Sequence, residues 1–160
     1  MITKKNILLQ AILLILFSVT VDSLSAQKSS EKLKSEITKT IEQWNNAAKT
    51  ANLDQFMTLF DNSESVMLVG SANGEISKGK DEIKAWLSQL YGFAGFSWEI
   101  NRIDIDCNGK TAWVFVDGKM IVNFHKGGTK ITPYRFTGIM VKKKGAWKWR
   151  LFNGSIPQQE

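Results

Sequence analysis

Apolar residues recur with the spacing of one helical face three times in the part of the chain that follows residue 29. The first such face belongs to Leu33, Ile37, Ile41, Trp44 and Ala48. A second, short helix is expected after Asn52, a residue type that caps helix N-termini. A third is expected to begin near Gly79 and to end at Gly92 and Gly95. The pattern predicts three amphipathic helices ahead of the rest of the chain.

The remainder has strand character and is divided by turn sequences. The predicted long strands are 96–107, 111–124, 130–141 and 146–155, and the turns are Asn108-Gly109, Gly127-Gly128 and Lys144-Gly145. Because such short turns join antiparallel neighbours, these strands form a meander. A shorter strand is predicted at 65–70, before the turn Asn73-Gly74. The fold class is therefore α+β.

The alternation of side chains indicates a bend in the first long strand. Trp98 and Ile100 have one parity, whereas Ile103 and Ile105 have the other. One extra residue near Asn101 would place all four on the same face. We therefore predict a β-bulge at this point.

The same parity argument assigns faces in the later strands. If Ile139 and Val141 face the helices, Arg135 and Thr137 do so as well. Asn153 and Ser155 have the parity of Trp149, which extends this inner face to the end of the last strand. The opposite face would then carry Trp113, Phe115, Tyr134, Phe136, Met140 and Phe152. Six large apolar side chains on an uncovered face predict association of two copies, a homodimer.

The first residues have the pattern of a targeting segment. Lys4 and Lys5 precede an apolar run at 7–17, and polar residues then lead to Ala26. This pattern is typical of a secretory signal peptide, and the run is too short for a membrane span. We expect a signal peptide at 1–26, a single domain at 27–160, an exported protein that is periplasmic or secreted, and no stable membrane anchor.

Composition excludes several function classes. The 160 residues include one cysteine and one histidine, so the chain cannot form an intramolecular disulfide or a multi-histidine metal cluster. We expect neither a metal site nor another cofactor. The net charge of +6 comes from scattered lysines rather than a contiguous stripe, and no nucleic-acid-binding motif is present. Binding of nucleic acid is therefore not expected.

Several motifs resemble one known family. The stretch 134–149, followed by Ser155-Ile156-Pro157, resembles the SnoaL-like branch of the nuclear transport factor 2-like superfamily. Asn52-Leu53-Asp54 and Gly79-Lys80-Asp81-Glu82-Ile83 are similar to its first inter-helix turn and the start of its third helix. The resemblance implies a cystatin-like, cone-shaped curved antiparallel sheet wrapped around three N-terminal helices, with a pocket at the open end. It also implies a sheet-to-sheet dimer.

The resemblance implies little about chemistry, because this fold carries isomerases, dehydratases and non-catalytic binding proteins. Where SnoaL-like relatives often have a histidine, this chain has Asn153, and an amide is not a general acid or base. The expected ligand-binding residues are Arg135, Thr137, Asn153, Ser155, Trp149 and Tyr91. Arg135 would bind a carboxylate or enolate-like oxygen, or would instead form a structural ion pair.

Two functions remain open from the sequence. The first is an exported, non-catalytic pocket protein for a small apolar or weakly acidic molecule. The alternative is a cofactor-free isomerase or dehydratase that uses Arg135 and a tyrosine such as Tyr91. The alternative requires a carboxylate or tyrosine with a shifted pKa within reach of Arg135. The catalytic residues are not identified by the sequence.

Overall fold

The computed structural model describes residues 30–158. The chain divides into two compact units, Met1–Ser35 and Glu36–Glu160. Residues 30–35 of the first unit are helical. The expected signal peptide at 1–26 and the domain start at residue 27 lie outside the described residues and stay predictions. No helix among residues 30–158 is long and apolar enough to cross a membrane.

The second unit begins with the predicted helices. Its first helix, α1, comprises residues 36–49; α2 is Leu53–Thr58 and α3 is Gly79–Phe93. Asn52 caps α2 as predicted, because its side chain accepts a hydrogen bond of 3.0 Å from the Gln55 backbone N–H. Gly92 lies inside α3 and does not end it.

Six strands form one sheet. They are β1 (Met67–Val69), β2 (Ile76–Lys78), β3 (Ala94–Asn108), β4 (Thr111–Phe124), β5 (Thr129–Lys143) and β6 (Ala146–Ser155). The strand order is β2-β1-β6-β5-β4-β3, and β3 to β6 form the predicted antiparallel meander. The sequence did not indicate that β1 pairs in parallel with β6.

Two bulges curve the sheet. The β3–β4 register shifts between Ile100 and Arg102, which confirms the predicted bulge. A second shift lies between Ile139 and Met140, where Arg150 of β6 is left without a partner in the ladder. Bulges bend strands and increase their twist, so this sheet curves around the helices. The mixed α+β fold with a curved sheet is confirmed.

The core lies between the helices and the concave face of the sheet. Trp44 of α1 is its centre: the ring lies within 6.0 Å, centroid to centroid, of five other aromatic rings. These rings belong to Phe56, Trp98, Phe136, Trp149 and Phe152. The apolar face predicted for the first helix is therefore the face that packs on the sheet.

Candidate functional site

A cavity of about 100 Å³ opens between the helices and the concave face of the sheet. All three helices, the β1–β2 hairpin and strands β1 and β3 to β6 contribute to its wall. The wall is mostly aromatic and aliphatic, with Trp44, Phe56, Trp86 and Trp98 among its rings. Such a lining suits a small ring compound.

Asn45 of α1 holds the β3 side of the wall. Its side-chain amide donates to the Trp98 carbonyl at 2.7 Å and accepts from the Trp98 N–H at 2.9 Å. Both backbone groups of Trp98 are thereby satisfied by one side chain. The indole of Trp98 lies 4.2 Å, centroid to centroid, from that of Trp44. A helix side chain therefore positions the aromatic wall.

Three residues that line the pocket each carry a buried polar atom without a hydrogen-bond partner among the described residues. These polar groups are the Tyr91 hydroxyl, the Trp98 Nε1–H and the Trp44 Nε1–H. A buried donor without a partner costs about 1–3 kcal/mol, so such groups in a native structure require an explanation.

A second polar group of residues lies at the β1–β2 hairpin. A Cβ added at Gly70 would lie 2.2 Å from Glu75 Oε2, so the glycine makes room for this carboxylate. A Cβ added at Gly154 would lie 1.8 Å from the Tyr134 hydroxyl. Two glycines thus leave space for two oxygen-bearing side chains of the pocket wall.

Both tyrosines of the pocket stay protonated at neutral pH. Burial raises the pKa of Tyr91 well above its usual value. Burial raises the pKa of Tyr134 to about 12; a hydrogen bond with Ser71 lowers that pKa, and the charge of Glu75 raises it. Each hydroxyl can therefore donate a hydrogen bond, but neither is suited to act as a base.

Of the six expected site residues, Tyr91 lies in the pocket wall. Trp149 is fully buried in the core against Trp44 and Phe136, and does not line the pocket. The other four, Arg135, Thr137, Asn153 and Ser155, lie on the convex, exposed face of the sheet. Their expected inner-face position is wrong. They are not contacts of a ligand in this pocket, and any other ligand role stays a prediction.

The physical reasons for this error differ between the strands. In β5 the apolar residues on both faces allowed either parity, and the structure buries Phe136 and Met140 while Ile139 is 39% exposed. In β6 the parity of Trp149 is reversed by the bulge at Arg150, so Asn153 and Ser155 point away from the core. Of the predicted outer residues, Trp113 and Phe115 are on the convex face. Tyr134, Phe136, Met140 and Phe152 are buried inside.

Arg135 forms an ion pair on the convex face. Its Nε lies 2.9 Å from Asp117 Oδ1, and about half of its side chain is exposed. The partner is a strand carboxylate opposite Arg135 in the β4–β5 ladder. An exposed pair of this kind contributes about 0–1 kcal/mol. Arg135 therefore lies on the convex face, whereas Tyr91 and Tyr134, whose pKa values are raised, lie on the side of the pocket. The enzyme hypothesis loses the cation that it expected beside a tyrosine.

The sequence reasoning missed Glu75, Ser71 and Tyr134 as pocket residues. The turn Asn73-Gly74 was recognised, and Gly74 has the positive φ of 82° that such a turn requires. The sequence did not indicate that Ser71 and Glu75, on either side of this turn, line the pocket. Among residues 30–158, no group of three or more His, Cys, Asp or Glu side chains could hold a metal ion.

Comparisons with known proteins agree with this architecture. The family model for the SnoaL-like domain matches residues 37–159. No curated protein sequence matches the chain. A nuclear transport factor 2-like superfamily protein from Salmonella enterica has a TM-score of 0.72 at 18% identity, covering 81% of this chain and 94% of its own.

Two further solved structures have the same fold. A proposed scytalone dehydratase from Novosphingobium aromaticivorans has a TM-score of 0.70 at 20% identity, with 78% of this chain and 84% of its own covered. A ketosteroid isomerase-like protein from Erwinia carotovora has a TM-score of 0.65 at 16% identity, with 78% and 96% covered. At these identities the likeness shows the fold alone.

Proposed function

The chain belongs to the SnoaL-like domain family, and from that premise we propose that it is an exported, non-catalytic protein that binds a small ring compound in the pocket. The observation that carries the proposal is the largely aromatic and aliphatic wall of the pocket, in which Tyr91, Trp98 and Trp44 also carry buried donors without a partner. A ring would pack against the aromatic side chains, and one acceptor oxygen would take a hydrogen bond.

The pocket supports binding better than catalysis. Both of its tyrosines are protonated donors, and the one histidine, His125, hydrogen-bonds the Tyr91 carbonyl through Nε2 and does not line the pocket. The alternative function is a cofactor-free isomerase or dehydratase. It is favoured by one observation, the carboxylate of Glu75 in the wall, and by the names of two relatives of the same fold.

Titration with acetophenone, a neutral ring with one carbonyl acceptor, tests both functions. We expect the tryptophan fluorescence to report saturable binding at micromolar to millimolar concentrations, about −4 to −8 kcal/mol. The same titration in D₂O, followed by NMR, reports catalysis. Accelerated exchange of the acetophenone methyl protons would support the enzyme, whereas unchanged exchange with binding supports a binding protein.

Tyr91→Phe should separate stability from binding. Because the Tyr91 hydroxyl is buried without a partner, its removal should leave the free energy of unfolding unchanged or raise it by about 1 kcal/mol. The affinity for acetophenone should fall by about 0.5–1.5 kcal/mol, the net contribution of one hydrogen bond. Urea unfolding and the fluorescence titration measure the two effects.

Tyr134→Phe is the matched control for this variant. The Tyr134 hydroxyl has a partner in Ser71, so its loss should lower stability by about 0.5–1.5 kcal/mol. If Tyr91→Phe also destabilised the protein and left acetophenone binding intact, the hydroxyl would have a structural role and the binding proposal would lose its main support.

Export is the part of the proposal that rests on the sequence alone. The basic start, the apolar run at 7–17 and the small residue Ala26 support it. N-terminal sequencing of protein recovered outside the cytoplasm tests it. A start near Gln27 agrees with export, and retention of residues 7–17 contradicts it.

We further propose that the convex face forms a homodimer. Trp113, Ile139 and Leu151 lie side by side across β4, β5 and β6, and Trp113 is 51% exposed. This row replaces the set expected from the sequence. A two-fold contact would remove it from water without leaving an open surface.

Trp113→Glu should turn this dimer into a folded monomer, because a buried carboxylate in the row would have no partner. Analytical ultracentrifugation at tens of micromolar measures the mass. Phe93→Glu, at a residue that is 71% exposed at the end of α3, is the control and should remain dimeric. A monomeric wild-type protein under these conditions would contradict the proposal.

A further inference from the structure

We propose, resting on the function proposed above, that the pocket selects its ligand by charge. It takes neutral or cationic ring compounds that carry a hydroxyl or an amine, and it rejects carboxylates. The feature responsible is the Glu75 carboxylate in the wall.

The carboxylate of Glu75 is held in place by its own hairpin. Its Oε2 accepts a hydrogen bond of 2.9 Å from the Ala72 N–H, and its carbonyl accepts one of 2.7 Å from the Gly70 N–H. Any side chain at Gly70 would overlap the carboxylate, because an added Cβ would lie 2.2 Å from Oε2. The hairpin thus presents a negative charge at a defined point of the pocket.

No positive charge offsets Glu75 in the described wall. The lining contains no lysine, arginine or histidine, and its other polar side chains are neutral. Arg135, expected from the sequence to bind an acidic ligand, is on the convex face with Asp117. An anion in the pocket would therefore meet a like charge with no cation beside it in the described wall.

One of the donors, Trp98, and the carboxylate of Glu75 come from opposite edges of the sheet. Trp98 is on β3, one edge strand, whereas Glu75 precedes β2, the other edge strand. A ligand with an acceptor oxygen at one end and a hydroxyl or ammonium at the other can satisfy both. This arrangement sets the orientation of the ligand as well as its charge.

Three probes of one ring size test the selection: benzyl alcohol, benzylamine and benzoate. For the wild-type protein at pH 7, we expect benzylamine to bind at least as tightly as benzyl alcohol, and benzoate to bind at least tenfold more weakly than benzyl alcohol. Equal or tighter binding of benzoate would overturn the inference while leaving the proposed function intact. Absence of binding by all three probes would overturn both.

Glu75→Gln assigns the selection to one residue. The amide oxygen can still accept from the Ala72 N–H, so the hairpin should persist, as circular dichroism would show. Benzylamine should lose about tenfold in affinity, benzoate should gain about tenfold, and benzyl alcohol should change by less than threefold, since only the charged hydrogen bond is altered. Glu99→Gln, on the convex side beside Lys119, is the control and should leave all three affinities unchanged. If Glu75→Gln left the order of the probes unchanged, Glu75 would not be the selecting residue.

Discussion

Trp44→Ala should remove a large share of the stability of the described fold. Trp44 is 1% exposed and its ring contacts five aromatic side chains from α2, β3, β5 and β6. Truncation of a buried tryptophan costs about 3–5 kcal/mol, because the transfer free energy is lost and a cavity remains. A domain of this size has about 5–15 kcal/mol in total. Urea unfolding should therefore show a midpoint shifted far below that of the wild type, or no folded baseline.

Two further variants make this result specific. Trp44→Phe keeps an aromatic ring and removes the unpartnered Nε1–H, so it should cost much less than Trp44→Ala. Phe93→Ala, at a 71% exposed position, should change stability by less than about 0.5 kcal/mol. Equal losses in Trp44→Ala and Phe93→Ala would contradict the placement of Trp44 at the centre of the core.

The helices, strands and turns of this fold can be predicted from the sequence because their signals are local. The spacing of Ile37, Ile41 and Trp44 predicts the buried face of the first helix, and the Asn-Gly and Gly-Gly turns predict the strand ends. The bulge in β3 was also readable, since apolar residues change parity around Asn101. Each of these inferences needs only residues a few positions apart.

The sequence does not predict in the same way which face of β5 and β6 lies inward. Both faces of β5 carry apolar side chains, so alternation alone does not distinguish Phe136 from Ile139. In β6 the bulged residue is Arg150, whose side chain pairs with Asp61 and bonds Ser65 at 3.0 Å. Those partners are more than 80 positions away in the chain, as the separations of 89 and 85 show. As a consequence, the polar residues assigned to the site were expected on the wrong face of the sheet.

The sequence predicts part of the pocket, because only some of its residues follow a local pattern. Tyr91 shares the apolar face of α3, and its local spacing was sufficient to place it inside. Glu75 and Tyr134 meet in the wall only because β1 joins the sheet beside β6, which brings the hairpin close to β5. A parallel pairing between distant strands leaves no short-range pattern. The charged group that we propose to select the ligand was therefore invisible before the topology was known.

Gly118→Ala should be the most damaging single-methyl change in the sheet. Gly118 pairs with Ile100 at the β3 bulge, and an added Cβ would lie 2.1 Å from the Glu99 carbonyl oxygen and 3.2 Å from the Ile100 Cα. These are backbone atoms, so no side-chain rotation relieves the overlap. The two strands must separate or lose their curvature. Overpacking of this kind costs about 1–3 kcal/mol, and we expect the upper end.

Ligand binding should respond to the same change, because Trp98 and Met120 form the next pair on the same face of this ladder and both line the cavity. Gly118→Ala should therefore weaken acetophenone binding as well as lower the urea midpoint. Gly92→Ala is the matched control: Gly92 is exposed within α3, and an added Cβ would have no atom within 4 Å. Alanine there should stabilise the helix by about 0.5–1 kcal/mol, so the two identical substitutions should have opposite signs. A Gly118→Ala protein as stable as the wild type would mean that the curvature at this bulge does not depend on the missing side chain.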